Sequence, residues 1–241
     1  MGNIAAAAGG RVLALGMRTM LLVRRPRPIH PTGLLLEGSL RWLPLTTSAS
    51  GITWLDDRDA GSEQPVIARF SRGAGLPAAL PDVLGLAIRV PAEAAPADLL
   101  LSTTGLGPVG RFLLVPRSTP TRARFSTLMP YRGASGPVLI AARTRSPSTL
   151  PARTERLRDA LAETPWRLEL LAATPRSRWH RVAELTLRPG SGPLDDPHVR
   201  FDPVLHAPPG AGTYAWTRLL REPSYARARA GRATGPSGPL V

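Results

Sequence analysis

The chain has 241 residues, of which 43% are apolar, which suffices for one large domain with a real core. It has no cysteine, which excludes disulfides, thiolate metal sites and a cysteine nucleophile. All 31 basic residues are arginine; against 17 acidic residues they give a net charge of +14, spread along the chain rather than gathered in a block. Such scatter fits a Gly-, Ala- and Pro-rich composition better than a dedicated nucleic-acid stretch, while still favouring anionic partners.

Residues 1–26 read as an N-terminal helical or flexible segment. Its mildly apolar part, Ile4–Val23, is broken by Arg11 and Arg18, so it reads as amphipathic rather than as a signal peptide. No apolar run approaches the ~18 residues of a membrane span. Pro26 and Pro28 stiffen the approach to His30. Short apolar runs bounded by Pro, Gly and Ser then follow: Gly33–Leu45, Val66–Ser71, Leu84–Val90, Asp98–Thr103, Arg111–Val115, Val138–Ala142, Trp166–Ala173 and Arg178–Leu187. Many short strands between regular breakers predict a barrel or sandwich. Arg153–Ala162 is the clearest helix. Arg188–Gly212 is Pro/Gly-rich and reads as an extended wrapping connection. Trp216–Ala230 is compatible with a helix if Pro223 sits near its start or at a kink. With no convincing linker, residues 27–232 form one expected domain, followed by a disordered tail at 233–241.

Two stretches carry chemistry. Arg221-Glu-Pro-Ser-Tyr225 puts a phenol four residues from a guanidinium, on one face if helical. A cation beside a phenol lowers its pKa from about 10, and tyrosinate is a known ligand of haem iron. At the other end, Arg27-Pro-Ile-His30-Pro-Thr-Gly33 offers an imidazole for proton transfer. Other motifs fare worse. Gly105-Leu-Gly107-x-x-Gly110 has dinucleotide spacing but precedes strand-like residues rather than a helix. No nucleophile elbow is present. Asp195-Asp196-Pro-His198 reads as a solvated turn rather than a metal corner. His180 reads as structural, and His206 has no evident partner.

In chain order, Arg27-x-x-His30-x-x-Gly33, Ala-Arg69-Phe70-Ser71, Asp82-Val-Leu-Gly85-Leu-Ala-Ile-Arg89, Asp98-Leu-Leu, Phe201-Asp-Pro203 with Pro208-Pro-Gly210, and Arg221-x-x-x-Tyr225 with Arg232 resemble the haem catalase superfamily in a short version. The resemblance spans roughly residues 27–232. It implies an α+β fold: an antiparallel β-barrel with flanking helices and a wrapping segment, and haem buried between barrel and C-terminal helix. It implies haem b as cofactor, its ferric iron held by Tyr225 as tyrosinate kept anionic by Arg221. Arg27, Arg69 and Arg232 would take the haem propionates, a task that suits planar guanidinium groups. His30 would be the acid–base catalyst and Ser71 would orient it. Phe70, Leu101, Phe112 and Leu113 are candidates for an apolar pocket wall.

Catalases carry an asparagine beside the distal histidine. Counting from Asp98 puts Thr103 at that place, and the only asparagine in the chain is Asn3. One hydroxyl donor in place of an amide's two N–H groups favours peroxidase-like use of hydrogen peroxide or organic hydroperoxides, with a small-molecule reductant, over efficient dismutation. The alternatives are a degenerate catalase-fold haem binder without turnover, or a basic nucleic-acid-binding module, against which the sparse aromatics weigh. The expected location is the cytoplasm.

Overall fold

A computed structural model describes residues 33–45, 50–73, 75–91, 95–195 and 199–217. The expected segments 1–26 and 233–241 lie outside the described residues, as does nearly all of the expected helix Trp216–Ala230. Ten strands follow in chain order: β1 (Gly33–Trp42), β2 (Glu63–Arg72), β3 (Leu84–Val90), β4 (Ala97–Thr103), β5 (Arg124–Ser126), β6 (Tyr131–Gly133), β7 (Gly136–Ser146), β8 (Trp166–Ala173), β9 (His180–Pro189) and β10 (Gly212–Thr213). Every pairing is antiparallel. β7 pairs with both β5 and β8, and β9 returns to β1, so β1–β5 and β7–β9 close an eight-stranded barrel. β6 and β10 extend β7 as a short side ladder. Among the described residues, two helices stand between strands, α1 (Thr53–Asp56) and α2 (Thr154–Glu163), and residues 215–217 are helical as well.

Period-2 alternation explains the barrel. In β2, Val66, Ala68 and Phe70 are buried and point inward. They pair laterally with Leu34, Leu36 and Gly38 of β1, and Phe70 pairs with Leu86 of β3. An eight-stranded barrel is just wide enough for side chains to fill it. Here the filling centres on Trp166, packed edge-on against Phe70 (5.7 Å) and Phe125 (6.1 Å). Its indole N–H donates to Thr144 Oγ1 at 3.1 Å, so the one polar atom of this large core side chain is satisfied. Gly38 is required by close approach: a Cβ there would lie 1.8 Å from the carbonyl oxygen of Thr186 on β9.

The expected runs at Leu84–Val90 and Trp166–Ala173 coincide with β3 and β8. The expected helix Arg153–Ala162 is α2, one residue along, with Leu157 and Leu161 buried against the core. Arg111–Val115, expected as a strand, instead begins with a 3-10 turn at Gly110–Phe112 and joins the barrel through a single bridge, Leu114 to Thr104. Gly105 and Gly110 explain the difference. Their backbones meet closely enough that a Cβ on Gly105 would fall 3.0 Å from the Gly110 Cα, folding the loop into a tight knuckle. The three-residue strands β5 and β6 and the helix α1 were not expected. Among the described residues, no helix is long and apolar enough to cross a membrane.

Candidate functional site

Of the expected site residues that are described, Arg69 and Ser71 share the outer wall of β1–β4. Directly paired residues of neighbouring strands share a face. Gly33 pairs with Ser71, Ser71 with Gly85, Gly85 with Ser102, and Ser102 with Ser126. The next outward row is Leu35, Arg69, Ala87 and Leu100. The inward row between them, Leu34, Phe70, Leu86 and Leu101, is core. Arg69 and Ser71 therefore stand on one outer face, while Phe70 and Leu101 fill the barrel and line no external pocket.

Thr103 and Ser71 lie on opposite faces. Thr103 pairs with Phe125 in the core, is fully buried, and its Oγ1 accepts the N–H of Leu84 at 3.0 Å. Ser102, one residue earlier, is the side chain in the Ser71 row. The run Leu99-Leu100-Leu101 is apolar on both faces, so alternation cannot fix the parity of this strand, and a one-residue slip inverts every side chain. Phe112 lies on the 3-10 turn and is half-buried, and Leu113 is 53% exposed. Arg27, His30, Arg221, Tyr225 and Arg232 lie outside the described residues.

Arg69 has an anionic partner. Its Nε donates to Asp195 Oδ1 at 2.8 Å and its Nη2 to Oδ2 at 2.6 Å, a two-pronged fork. Gly33 allows this arrangement, because a Cβ there would meet the Arg69 guanidinium at 2.6 Å. The strap after β9 delivers Asp195: Gly190 N–H donates to Leu35 O, and Leu35 N–H to Leu194 O. Asp195 is thus an ion-pair partner rather than part of a solvated turn. Among the described residues, no cluster of His, Asp or Glu could hold a metal.

A second carboxylate organises the wrapping segment. Asp98 is fully buried and pairs across β3–β4 with Arg89, with Nε–Oδ1 and Nη2–Oδ2 both 2.7 Å. This bond raises the Arg89 pKa above its ordinary value, against the effect of burial. Asp98 Oδ2 also accepts the N–H of Asp202 at 2.7 Å and lies 3.1 Å from His206 Nδ1. Arg89 donates to Arg200 O at 2.6 Å and lies 5.2 Å from the Phe201 ring centroid. His206, without an evident partner in sequence, is one arm of this hub. Arg89, Asp98 and Phe201-Asp-Pro203, remote in sequence, converge here, which orders the wrapping connection along the barrel wall.

No protein-family model and no curated protein sequence matches the chain. Solved structures do. A fungal catalase superposes with a TM-score of 0.62 at 14% identity, over 92% of this chain and 62% of its own. Catalase A from Saccharomyces cerevisiae gives 0.62 at 12%, over 90% and 63%, and a bacterial catalase 0.58 at 15%, over 90% and 59%. The chain spans about three-fifths of the length of these catalases. With its closed antiparallel barrel and few helices, the chain has the catalase-like fold.

Proposed function

We propose that the chain is a haem-dependent oxidoreductase that reduces hydrogen peroxide or organic hydroperoxides, peroxidase-like rather than an efficient catalase. The observation that carries this reading is the outer face of β1–β2. Gly33, the last residue of Arg27-x-x-His30-x-x-Gly33, is paired with Ser71, and Arg69 lies one row away. The fit to haem is supported by Arg69 itself, which already grips a carboxylate with two parallel bonds, the geometry a propionate needs.

In this reading Arg27, Arg69 and Arg232 would hold the two propionates, and Tyr225 the iron, with Arg221 keeping the phenol ionised. The bound cofactor supplies a redox-active iron for two-electron reduction of a peroxide O–O bond. His30 takes the proton from the attacking peroxide oxygen at one imidazole nitrogen and returns it to the leaving oxygen. Ser71 holds the other imidazole nitrogen and so fixes the tautomer. Ser102, in the Ser71 row, supplies the neutral donor that asparagine provides in catalases, with one hydroxyl instead of an amide.

The test is a haem titration of the purified protein followed by absorbance. The expected result is a stoichiometric ferric-tyrosinate spectrum that disappears in Tyr225→Phe, with peroxide consumption that depends on an added reductant. Absence of a defined haem complex refutes the cofactor. Rapid reductant-independent oxygen release refutes the peroxidase assignment. A haem complex without peroxide turnover leaves a haem-binding protein.

A further inference from the structure

The core thins at the end of the barrel opposite Gly33 and Ser71. Trp166, Leu168 and Leu170 face inward in succession along β8, and the next inward position is Ala172. The step from leucine to alanine leaves space, and a cavity of about 430 Å³ opens there, where β1 ends and where β7 and β9 begin. Val138, Val182 and Leu55 of α1 add to its apolar wall. Mouths of β-barrels are recurrent ligand sites, and such pockets pair an apolar body with a few polar groups.

Most polar groups around this cavity are already engaged. The two oxygens of Asp56 accept the N–H groups of Ser50 and Gly51, at 2.9 and 2.7 Å. Ser50 Oγ accepts the N–H of Ile52 at 3.2 Å, and Thr174 and Ser177 each accept the other's N–H, at 3.1 and 2.9 Å. Arg58 Nη1 and Nη2 are shielded, so they face packed protein rather than the cavity. Burial lowers the Arg58 pKa and the charge of Asp56 partly offsets this, so the two charges near the wall compensate each other. His180 is the exception. It pairs with Ala172, and Ala172 with Ile140 of the core, which sets His180 on the inner face at the mouth. Its ring has no hydrogen-bond partner among the described residues, and its nitrogens, unlike those of Arg58, are open.

We propose that this cavity binds a small neutral alcohol with an apolar body, its hydroxyl on His180 and its chain along Val138, Ala172 and Val182. A hydroxyl both donates and accepts, so it satisfies whichever imidazole nitrogen it meets. A charged head would leave water without a free partner of opposite sign, which is costly. The site shares no residue with the outer face of β1–β4, so it is independent of the haem reading.

Octan-1-ol is the probe, with octanoate and octylammonium as its charged counterparts, measured by calorimetry on the full chain. Octan-1-ol binds about tenfold or more tightly than either ion. Ala172→Leu fills the cavity and lowers octan-1-ol affinity about tenfold or more. His180→Leu lowers it about fivefold, the loss of one neutral hydrogen bond, whereas His180→Gln, which keeps a donor and an acceptor, retains it. No octan-1-ol binding at about 1 mM, an ion that binds as tightly as octan-1-ol, or unchanged affinity in Ala172→Leu or His180→Leu overturns the proposal. Should His180→Leu fail to fold, Ala172→Leu and the order of the three ligands decide it.

Discussion

Replacing Asp98 with asparagine removes one charge and leaves the side-chain shape, so its effect isolates the hub. Asp98 is fully buried, and its carboxylate receives both prongs of Arg89, the Asp202 N–H and a contact from His206. Removing one partner of a buried ion pair costs about 3–5 kcal/mol, because the other charge stays buried. The Arg89 side chain is 22% exposed and keeps its bond to Arg200 O, which places the expected loss at the lower end, about 3 kcal/mol. For a chain of this length that is a fall in melting temperature of about 6–12 °C. Chemical denaturation measures the loss, and limited proteolysis should show faster cleavage within 199–211, the segment the hub ties down. The Arg89→Met change alone should cost a similar amount, and the double variant hardly more than either single one. Additive losses, or a loss below about 1 kcal/mol, would refute the claim that Asp98 anchors the wrapping segment.

Gly38→Ala should destabilise by about 3 kcal/mol or more, since its methyl would drive β1 off the Thr186 carbonyl; an unchanged denaturation midpoint refutes the assigned β1–β9 register. Ser102→Ala and Thr103→Val should separate: Thr103→Val costs about 1–3 kcal/mol by orphaning the Leu84 N–H and leaves peroxide turnover per folded enzyme unchanged, whereas Ser102→Ala slows turnover with little loss of stability. Glu184 is held below the usual carboxylate range, first by its hydrogen bond from Arg41 and then by the charges of Arg41 and Arg181. Its pair therefore adds stability above the unfolded pKa of about 4.3 and loses it as pH falls through the lower folded value. The gap between wild type and Glu184→Gln should be present at neutral pH, close in acid, and stay under about 1 kcal/mol because both partners are well exposed. Asp195→Asn should tighten haem binding in an absorbance titration by removing the carboxylate that competes with a propionate for Arg69; weaker binding would make Asp195 a supporting contact rather than a competitor.

The barrel was legible because its strands alternate or run apolar between clear breakers: β3 and β8 start and stop at Pro and Thr signals that need no tertiary context. The three-residue strands β5 and β6 were not, since so short a run shows no period. The knuckle at Gly105–Gly110 was misjudged because its apolar residues after Gly110 look like a strand, and only the contact between two glycine backbones decides otherwise. The site was legible as an ordered set of residues but not as a face. Arg69 and Ser71 fall on one side of β2 by simple alternation, whereas the parity of β4 depends on its register with β3, and Leu99-Leu100-Leu101 hides it. Asp195 and His206 were opaque for another reason: each sits in a loop whose partner lies on a strand far away in sequence.

The Arg69–Asp195 fork bears on what would hold a cofactor at this face. An arginine waiting unpaired for a propionate would gain the full value of a charge-assisted bond on binding. Arg69 is not in that position: its donors are matched by a carboxylate of the same chain, at 2.8 and 2.6 Å. Exchanging one carboxylate for another on the same fork leaves the number and type of bonds nearly unchanged, and the displaced Asp195 returns to water only as far as its strap allows. The net gain from this arginine is therefore small, and affinity would fall to the tyrosinate–iron bond and to the apolar area covered on the Leu35, Ala87 and Leu100 row.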